Sequence, residues 1–125
     1  MKIEILIIIL FVHWIADFVL QSDKQAKGKA TNIKELFNHV WAYSLVWLIV
    51  GIYYALYLGD DYTDWAVTAF YVITFFTHFV TDFVTSKWVK HYFDQNKYHE
   101  GFVVIGLDQF LHVTQLILTY KLLFI

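Results

Sequence analysis

Apolar residues occur in four long runs separated by short polar connections. The runs cover residues 3–21, 36–58, 65–87 and 102–125, each near the roughly 20 residues that a helix needs to cross a bilayer. The chain contains no proline that would interrupt them. This pattern predicts an all-α, polytopic membrane protein, in which four transmembrane helices form a bundle and residues 1–125 form a single transmembrane domain.

The charges in the connections predict the orientation of the chain. Lysines are concentrated in two connections, between the first and second runs and after the third: Lys24, Lys27, Lys29, Lys34, Lys87, Lys90 and Lys97. The connection over residues 59–64 has no lysine. By the positive-inside rule, the lysine-rich connections lie in the cytoplasm and both termini lie outside.

Composition limits the metal ligands and the partners that the chain can have. The residues are 59% hydrophobic and 16% charged, which is typical of a chain that folds in lipid. There is no cysteine, so a bound metal would have to use nitrogen and oxygen ligands. The net charge of −2 excludes the basic surface that nucleic-acid binding requires, so we expect no nucleic-acid partner.

Two polar motifs occur once in each half of the chain. His-x3-Asp is found at His13/Asp17 and His78/Asp82, and acid-x3-His at Glu35/His39 and Asp108/His112. We therefore predict a duplicated two-helix hairpin, with copies over about residues 1–58 and 65–125, related by an axis along the membrane normal. Side chains four apart share one helix face, so each pair points in a single direction.

All eight of these groups lie between the cytoplasmic interface and roughly the middle of the bilayer. An ionisable side chain at this depth costs about 2.5 to 3.5 kcal/mol, so it normally faces the bundle interior and has a partner. Imidazole and carboxylate on facing helices form one-metal or two-metal sites. The pattern favours a divalent metal, with zinc the first choice and manganese or iron as alternatives. Two other interpretations stay open: a polar network that only sets helix register, and a proton or ion pathway, although the outer half offers mostly isolated hydroxyls.

The polar motifs also resemble a known family. They are His13-x3-Asp17-Phe-x2-Gln21, Leu36-x2-His39-x3-Tyr43, His78-x3-Asp82-x4-Lys87 and Asp108-Gln109-x2-His112. Over nearly the whole chain, they resemble the domain of unknown function 3307 family of small bacterial and bacteriophage inner-membrane proteins. That resemblance implies location in the bacterial inner membrane. It also implies that Gln21, Lys87 and Gln109 line the site, whereas Glu35 lies outside the family pattern.

More distantly, the layout is similar to bacterial membrane-bound metal-dependent hydrolases, whose buried His and Asp residues are assigned to metal. The leading hypothesis is accordingly a metal-dependent hydrolase that acts at the cytoplasmic leaflet on a lipid or lipid-linked substrate. The expected metal ligands are His13, Asp17, His39, His78, Asp82, Asp108 and His112. One of Asp17, Asp82 and Asp108 would take the proton of a metal-bound water. Glu35, directly after Lys34, is a weaker candidate for the site than these three aspartates.

A non-catalytic membrane module is the alternative hypothesis. In this case a metal or a polar network stabilises a bundle that binds another membrane protein or a second copy of the chain. The short loops leave little surface to enclose a polar substrate, which favours this alternative. Membrane lipids are partners in either case.

Overall fold

Every regular element in the described part of the chain is a helix. The computed structural model describes residues 1–58 and 63–125, and these ranges contain no strand. The α-helices are α1 (Ile3–Trp14), α2 (Asp23–Gly28), α3 (Ile33–Leu58), α4 (Thr63–Asp94) and α5 (Tyr98–Phe124), and a π-helical turn, Ile15–Val19, follows α1 directly. The all-α prediction is confirmed. Most of the predicted connection 59–64 lies outside the described residues.

Three helices, not four, are long and apolar enough to cross a membrane. They are α3, α4 and α5, whereas α1 has only 12 residues before the π turn begins. The first run was expected to be one helix to Gln21, but regular helix ends earlier because the backbone widens into the π turn. There the Leu20 N–H donates to the Ile15 carbonyl, five residues back, at 3.0 Å.

The lysine-rich connection between the first two runs contains a helix that the sequence pattern did not predict. Ser22 caps α2 reciprocally: its hydroxyl accepts from the Gln25 N–H at 3.2 Å, and Gln25 Oε1 accepts from the Ser22 N–H at 3.0 Å. Lys24 of α2 forms an ion pair with Glu35 of α3 at 3.0 Å. The short helix is therefore tied to the start of α3.

Helices α4 and α5 extend further than hydropathy predicted. Helix α4 continues to Asp94 rather than ending near residue 87, and α5 begins at Tyr98 rather than near 102. Phe93 packs against the rings of Tyr98 and Phe102, with centroids 5.7 and 5.6 Å away, so the two helices stay in contact up to their connection. Asn96 takes the left-handed conformation, φ 58°, that reverses the chain there.

Apolar side chains cover the outside of the bundle, and polar ones gather inside it. Ile49, Phe76 and Leu122 are more than 60% exposed. By contrast, the buried side chains include four histidines and three aspartates. This inverted arrangement is typical of a helical bundle whose outer surface faces lipid.

Candidate metal centre

Seven buried side chains meet inside the bundle, towards the end that carries α2. We call them the His/Asp cluster, and none is more than 8% exposed. They are His13, Asp17, His39, His78, Asp82, Asp108 and His112. α1, the π turn, α3, α4 and α5 all contribute. The structure thus brings together every residue that the sequence predicted as a metal ligand.

The first donor group is centred on His39. Its Nε2 atom lies 3.1 Å from Asp17 Oδ1 and 3.2 Å from His78 Nε2. Asp82 Oδ2 lies 3.3 Å from His39 Nε2 and 3.6 Å from His78 Nε2. Bonds of about 2.0–2.1 Å to one ion would place neighbouring tetrahedral ligands about 3.3 Å apart. The ligand atoms of Asp17, His39 and His78 therefore lie close enough together to bind one divalent ion, and Asp82 Oδ2 adjoins both imidazoles.

The second donor group lies next to the first and is centred on His112. Its Nε2 atom lies 3.0 Å from Asp82 Oδ1 and 3.3 Å from Asp108 Oδ2. Asp17, Asp108 and His112 each offer a ligand atom, and these atoms lie within 4.8 Å of one another. This group also has donors that suit a divalent ion.

His13 adjoins both groups, and both of its ring nitrogens contact protein atoms. Gln109 Oε1 lies 2.8 Å from Nε2, and the Tyr43 hydroxyl lies 2.9 Å from Nδ1. Since an amide oxygen only accepts, Nε2–H donates to it and a neutral ring accepts from Tyr43. The Gln109 amide also donates to Asp17 at 2.7 Å and to Asp108 at 3.0 Å. His13 and Gln109 thus orient the carboxylates.

Stacking holds the ring of His78. Its centroid lies 3.8 Å from that of Tyr43 and 4.0 Å from that of His112, at interplanar angles of 24° and 16°. His78 Nδ1 has no hydrogen-bond partner among the described residues. The ring orientation, and with it the direction of Nε2, therefore comes from packing.

Lys29 is a site residue that sequence reasoning missed. Its ammonium donates to Asp82 Oδ2 at 2.8 Å. Burial favours the neutral amine, but the carboxylates of Asp82 and Asp17 outweigh it and raise the pKa of Lys29 above its ordinary value. Lys29 had been interpreted only as a cytoplasmic charge. The position of Lys29 in the sequence did not indicate this contact, because Lys29 and Asp82 lie 53 positions apart.

Tyr43 and Thr85 were also missed. Tyr43 lies one helical turn after His39, within the quoted motif, and this spacing could have indicated a shared face. The hydroxyl of Thr85 donates to Asp108 at 2.5 Å. Thr85 follows Asp82 by three positions, so it too lies on the polar face of α4.

The net charge of the cluster together with Lys29 depends on its histidines, because two protonated imidazoles or one divalent ion would each balance it. Asp17, Asp82 and Asp108 contribute three negative charges as carboxylates, and Lys29 contributes one positive charge. With neutral histidines, two negative charges remain, and uncompensated buried charge is strongly unfavourable. One divalent ion would neutralise them, and nitrogen and oxygen donors suit zinc, manganese or iron(II).

A cavity of about 470 Å³ reaches the cluster. Asp17, Asp108 and Gln109 line it together with Lys29. Ser86, which is 8% exposed, also lines it, and its hydroxyl has no hydrogen-bond partner among the described residues. The cavity therefore offers a route for a small polar group to approach two of the aspartates.

Apolar side chains form much of the remaining cavity wall. They include Phe18, Val89, Phe93 and Ile105. Lys27 also lines the cavity. The lining is therefore amphipathic, since Lys90 and Asp94 also line the cavity beside these apolar side chains.

The four predicted site-lining residues have different positions. Gln21 and Gln109 line the cavity. Glu35 is buried but forms an ion pair with Lys24. The ammonium of Lys87 lies 3.3 Å from the centroid of the Phe83 ring. The structure thus joins the two glutamines to the site and gives Glu35 and Lys87 other contacts.

A smaller polar group occupies α4 and α5 further from the cluster. The Gln115 amide donates to Thr74 Oγ1 at 3.3 Å and to Thr119 Oγ1 at 3.0 Å. The hydroxyls of the outer half were expected to be mostly isolated, but Gln115 joins these two. Side chains from two helices have to meet before such a link can form.

Long apolar helices around buried nitrogen and oxygen donors indicate an all-helical membrane protein with groups that could bind a metal. The chain belongs to the family described as Protein of unknown function (DUF3307), whose model matches residues 5–125. This confirms the family resemblance, and the description states no activity. No curated protein and no solved structure matches the chain. The expected distant similarity to membrane-bound hydrolases has no support in these comparisons.

Proposed function

We propose that this protein is a metal-dependent hydrolase embedded in the bacterial inner membrane. The observation that carries the proposal is the cavity, because it ends at Asp17 and Asp108, which also belong to the donor groups. A purely structural metal site is closed, whereas a catalytic one keeps a position for water or substrate. Zinc is the preferred ion, with manganese or iron(II) as alternatives.

The chemistry follows from what a divalent ion supplies to such a site. It would lower the pKa of a bound water from that of bulk water towards about 7 and polarise the group under attack. Asp108 is the best placed of the three aspartates to accept the proton of this water through Oδ1, since it lines the cavity, Thr85 contacts Oδ1, and only Oδ2 faces His112 in the second donor group. Asp17 lines the cavity too. Asp82 contacts Lys29, His39 and His112, which suits it better to holding metal.

The cavity lining supports an amphipathic substrate, such as a lipid or lipid-linked ester or phosphate. The polar end of the substrate would contact Lys29 and the cluster, and the acyl or prenyl part would lie against Phe18 and Phe93. The lysines around the cavity favour the cytoplasmic leaflet by the positive-inside rule.

We also propose that the first run is the fourth membrane crossing. Helix α1 and the π turn cover residues 3–19, about 25 Å at about 1.5 Å per residue, which is close to the hydrocarbon thickness. Ile3, Ile7 and Phe11 are more than half exposed, as lipid-facing side chains would be. Four crossings put both termini outside. They also suit the duplicated hairpin, since His39 contacts Asp17 at 3.1 Å as His112 contacts Asp82 at 3.0 Å.

Hydrolysis is tested with protein purified in detergent, loaded with Zn²⁺ or Mn²⁺. The probes are p-nitrophenyl phosphate, p-nitrophenyl butyrate and a short-chain phosphatidate in mixed micelles. We expect metal-dependent turnover of at least one probe and a loss of about 100-fold or more in Asp108→Asn, because a general base contributes about 10²–10⁴.

Gln115→Leu is the matched control, since it removes a half-buried polar side chain on the same helix outside the cluster. It should retain turnover. Equal turnover in Asp108→Asn and the parent protein would contradict the assigned role of Asp108. Absence of metal-dependent turnover of all three probes would count against the hydrolase.

One observation favours a second candidate, a non-catalytic module that binds another membrane protein or a second copy. The cluster residues already satisfy one another: Asp82 accepts from Lys29, and Gln109 bridges Asp17 and Asp108. A network of this kind can serve stability alone. In that case metal would raise the melting temperature without any turnover.

A further inference from the structure

Two carboxylates are shared between the two donor groups. Asp82 directs Oδ2 towards His39 at 3.3 Å and Oδ1 towards His112 at 3.0 Å. Asp17 directs Oδ1 towards His39 at 3.1 Å, while its Oδ2 accepts from Gln109, which also donates to Asp108. Asp82 therefore presents one oxygen to each group, and Asp17 offers a ligand atom to both.

Each donor group also has ligands of its own. His39 belongs to the first group and Asp108 and His112 to the second, while His78 lies 3.2 Å from His39 and can also join Asp82 and His112. With His78 in the first group and one oxygen each from Asp17 and Asp82, either group has four donors. This is the number that zinc requires in a closed site, and three of them suffice when a water completes an open one.

We infer that the cluster is a dinuclear centre, in which Asp17 and Asp82 bridge two divalent ions. The first ion would bind His39 and His78, and the second Asp108 and His112. This inference rests on the metal binding of the proposed function, not on its hydrolytic step. Ions held in this way lie about 3.5–4 Å apart, the spacing at which two metals stabilise both the attacking and the leaving oxygen.

The charges predict that the ions bind in two steps. One divalent ion neutralises the three carboxylates and Lys29 taken together, so the first ion binds tightly. The second leaves an excess of two positive charges, which a bridging hydroxide reduces to one. The second ion therefore binds more weakly, and the loaded centre attracts an anionic group such as a phosphate or carboxylate. Asp108 of the second group and the bridging Asp17 both line the cavity.

Metal stoichiometry tests the inference. Protein purified in detergent without chelator is saturated with Mn²⁺ or Zn²⁺, freed of excess by gel filtration in low metal, and measured by elemental analysis. We expect two equivalents per chain in the parent protein and in Gln115→Leu, and one in Asp108→Ala and in His39→Ala. Electron paramagnetic resonance of the Mn²⁺ form should show an exchange-coupled pair in the parent and an isolated ion in either cluster variant.

The outcomes separate this inference from the proposed function. One equivalent in the parent protein, with an isolated-ion spectrum even at saturating Mn²⁺, would overturn the dinuclear centre and leave a mononuclear hydrolase standing. No stoichiometric metal in the parent would overturn both. The parent measurements decide between these results even if a variant fails to fold.

Discussion

At the scale of single residues, one loop lysine changes the interpretation of the site. The ammonium of Lys29 lies 2.8 Å from an oxygen of Asp82 that also belongs to the first donor group. An ion at this oxygen would lie about 4 Å or less from that ammonium, and at this distance two charges repel by several kcal/mol at an effective dielectric constant of about 20. Lys29 therefore competes with metal for Asp82.

Removing this charge should strengthen metal binding. Lys29→Gln keeps a hydrogen-bond donor but removes the positive charge, so we expect the dissociation constant for Mn²⁺ to fall by about tenfold or more. Titration calorimetry in detergent measures it. Lys27→Gln is the matched control, since Lys27 lies on α2 and pairs with Asp23 at 4.0 Å on the surface. Unchanged or weaker binding in Lys29→Gln would show that Lys29 supports the site.

At the scale of helices, the ends and irregularities position the site. Asp17 lies in the π turn, a feature that is frequent at functional sites. The extended end of α4 supplies Val89 and Phe93 to the cavity wall. From hydropathy, the third helix was predicted to end near residue 87, because lysines begin there. Charged residues do not end a helix that still has packing partners.

The contact between Gly101 and Phe93 tests the packing of the extended hairpin. A Cβ added at Gly101 would overlap the ring of Phe93, whereas one added at Gly106 meets nothing within 4 Å. We expect Gly101→Ala to lower stability by about 1–3 kcal/mol through overpacking. Gly106→Ala should keep or raise stability, by up to about 1 kcal/mol from helix propensity.

Thermal unfolding in detergent, followed by circular dichroism, compares the two alanine variants. Gly101→Ala should have the lower melting temperature of the pair. Equal melting temperatures would mean that the Phe93 ring moves aside without cost. In that case the hairpin would not fix the cavity wall.

At the scale of the whole molecule, the open question is how many times the chain crosses the membrane. Among the described residues, three helices are long and apolar enough to cross a membrane, and α1 is shorter than these three. Four crossings place residue 2 on the opposite side from the lysine-rich connections, whereas three crossings that omit α1 place it on the same side.

Single cysteines decide between these topologies, because the chain has no native cysteine. We expect a membrane-impermeant maleimide to label Lys2→Cys and Ile125→Cys in right-side-out membranes and Lys27→Cys only in inverted ones. Labelling of Lys2→Cys from the same side as Lys27→Cys would eliminate the fourth crossing. Ile125→Cys serves as the control for membrane orientation, since both topologies place it opposite to the lysines.

The sequence by itself determined the helical class, three of the apolar spans and which histidines and aspartates meet in the cluster. These depend on local properties: hydropathy over about 20 residues, and the spacing of four that places His78 and Asp82 on one face. Only the tertiary structure decided which carboxylate oxygen faces which histidine, that Lys29 reaches Asp82, and that a cavity ends at Asp108. These features depend on how helices from distant parts of the chain pack together, and spacing along one helix carries no information about that.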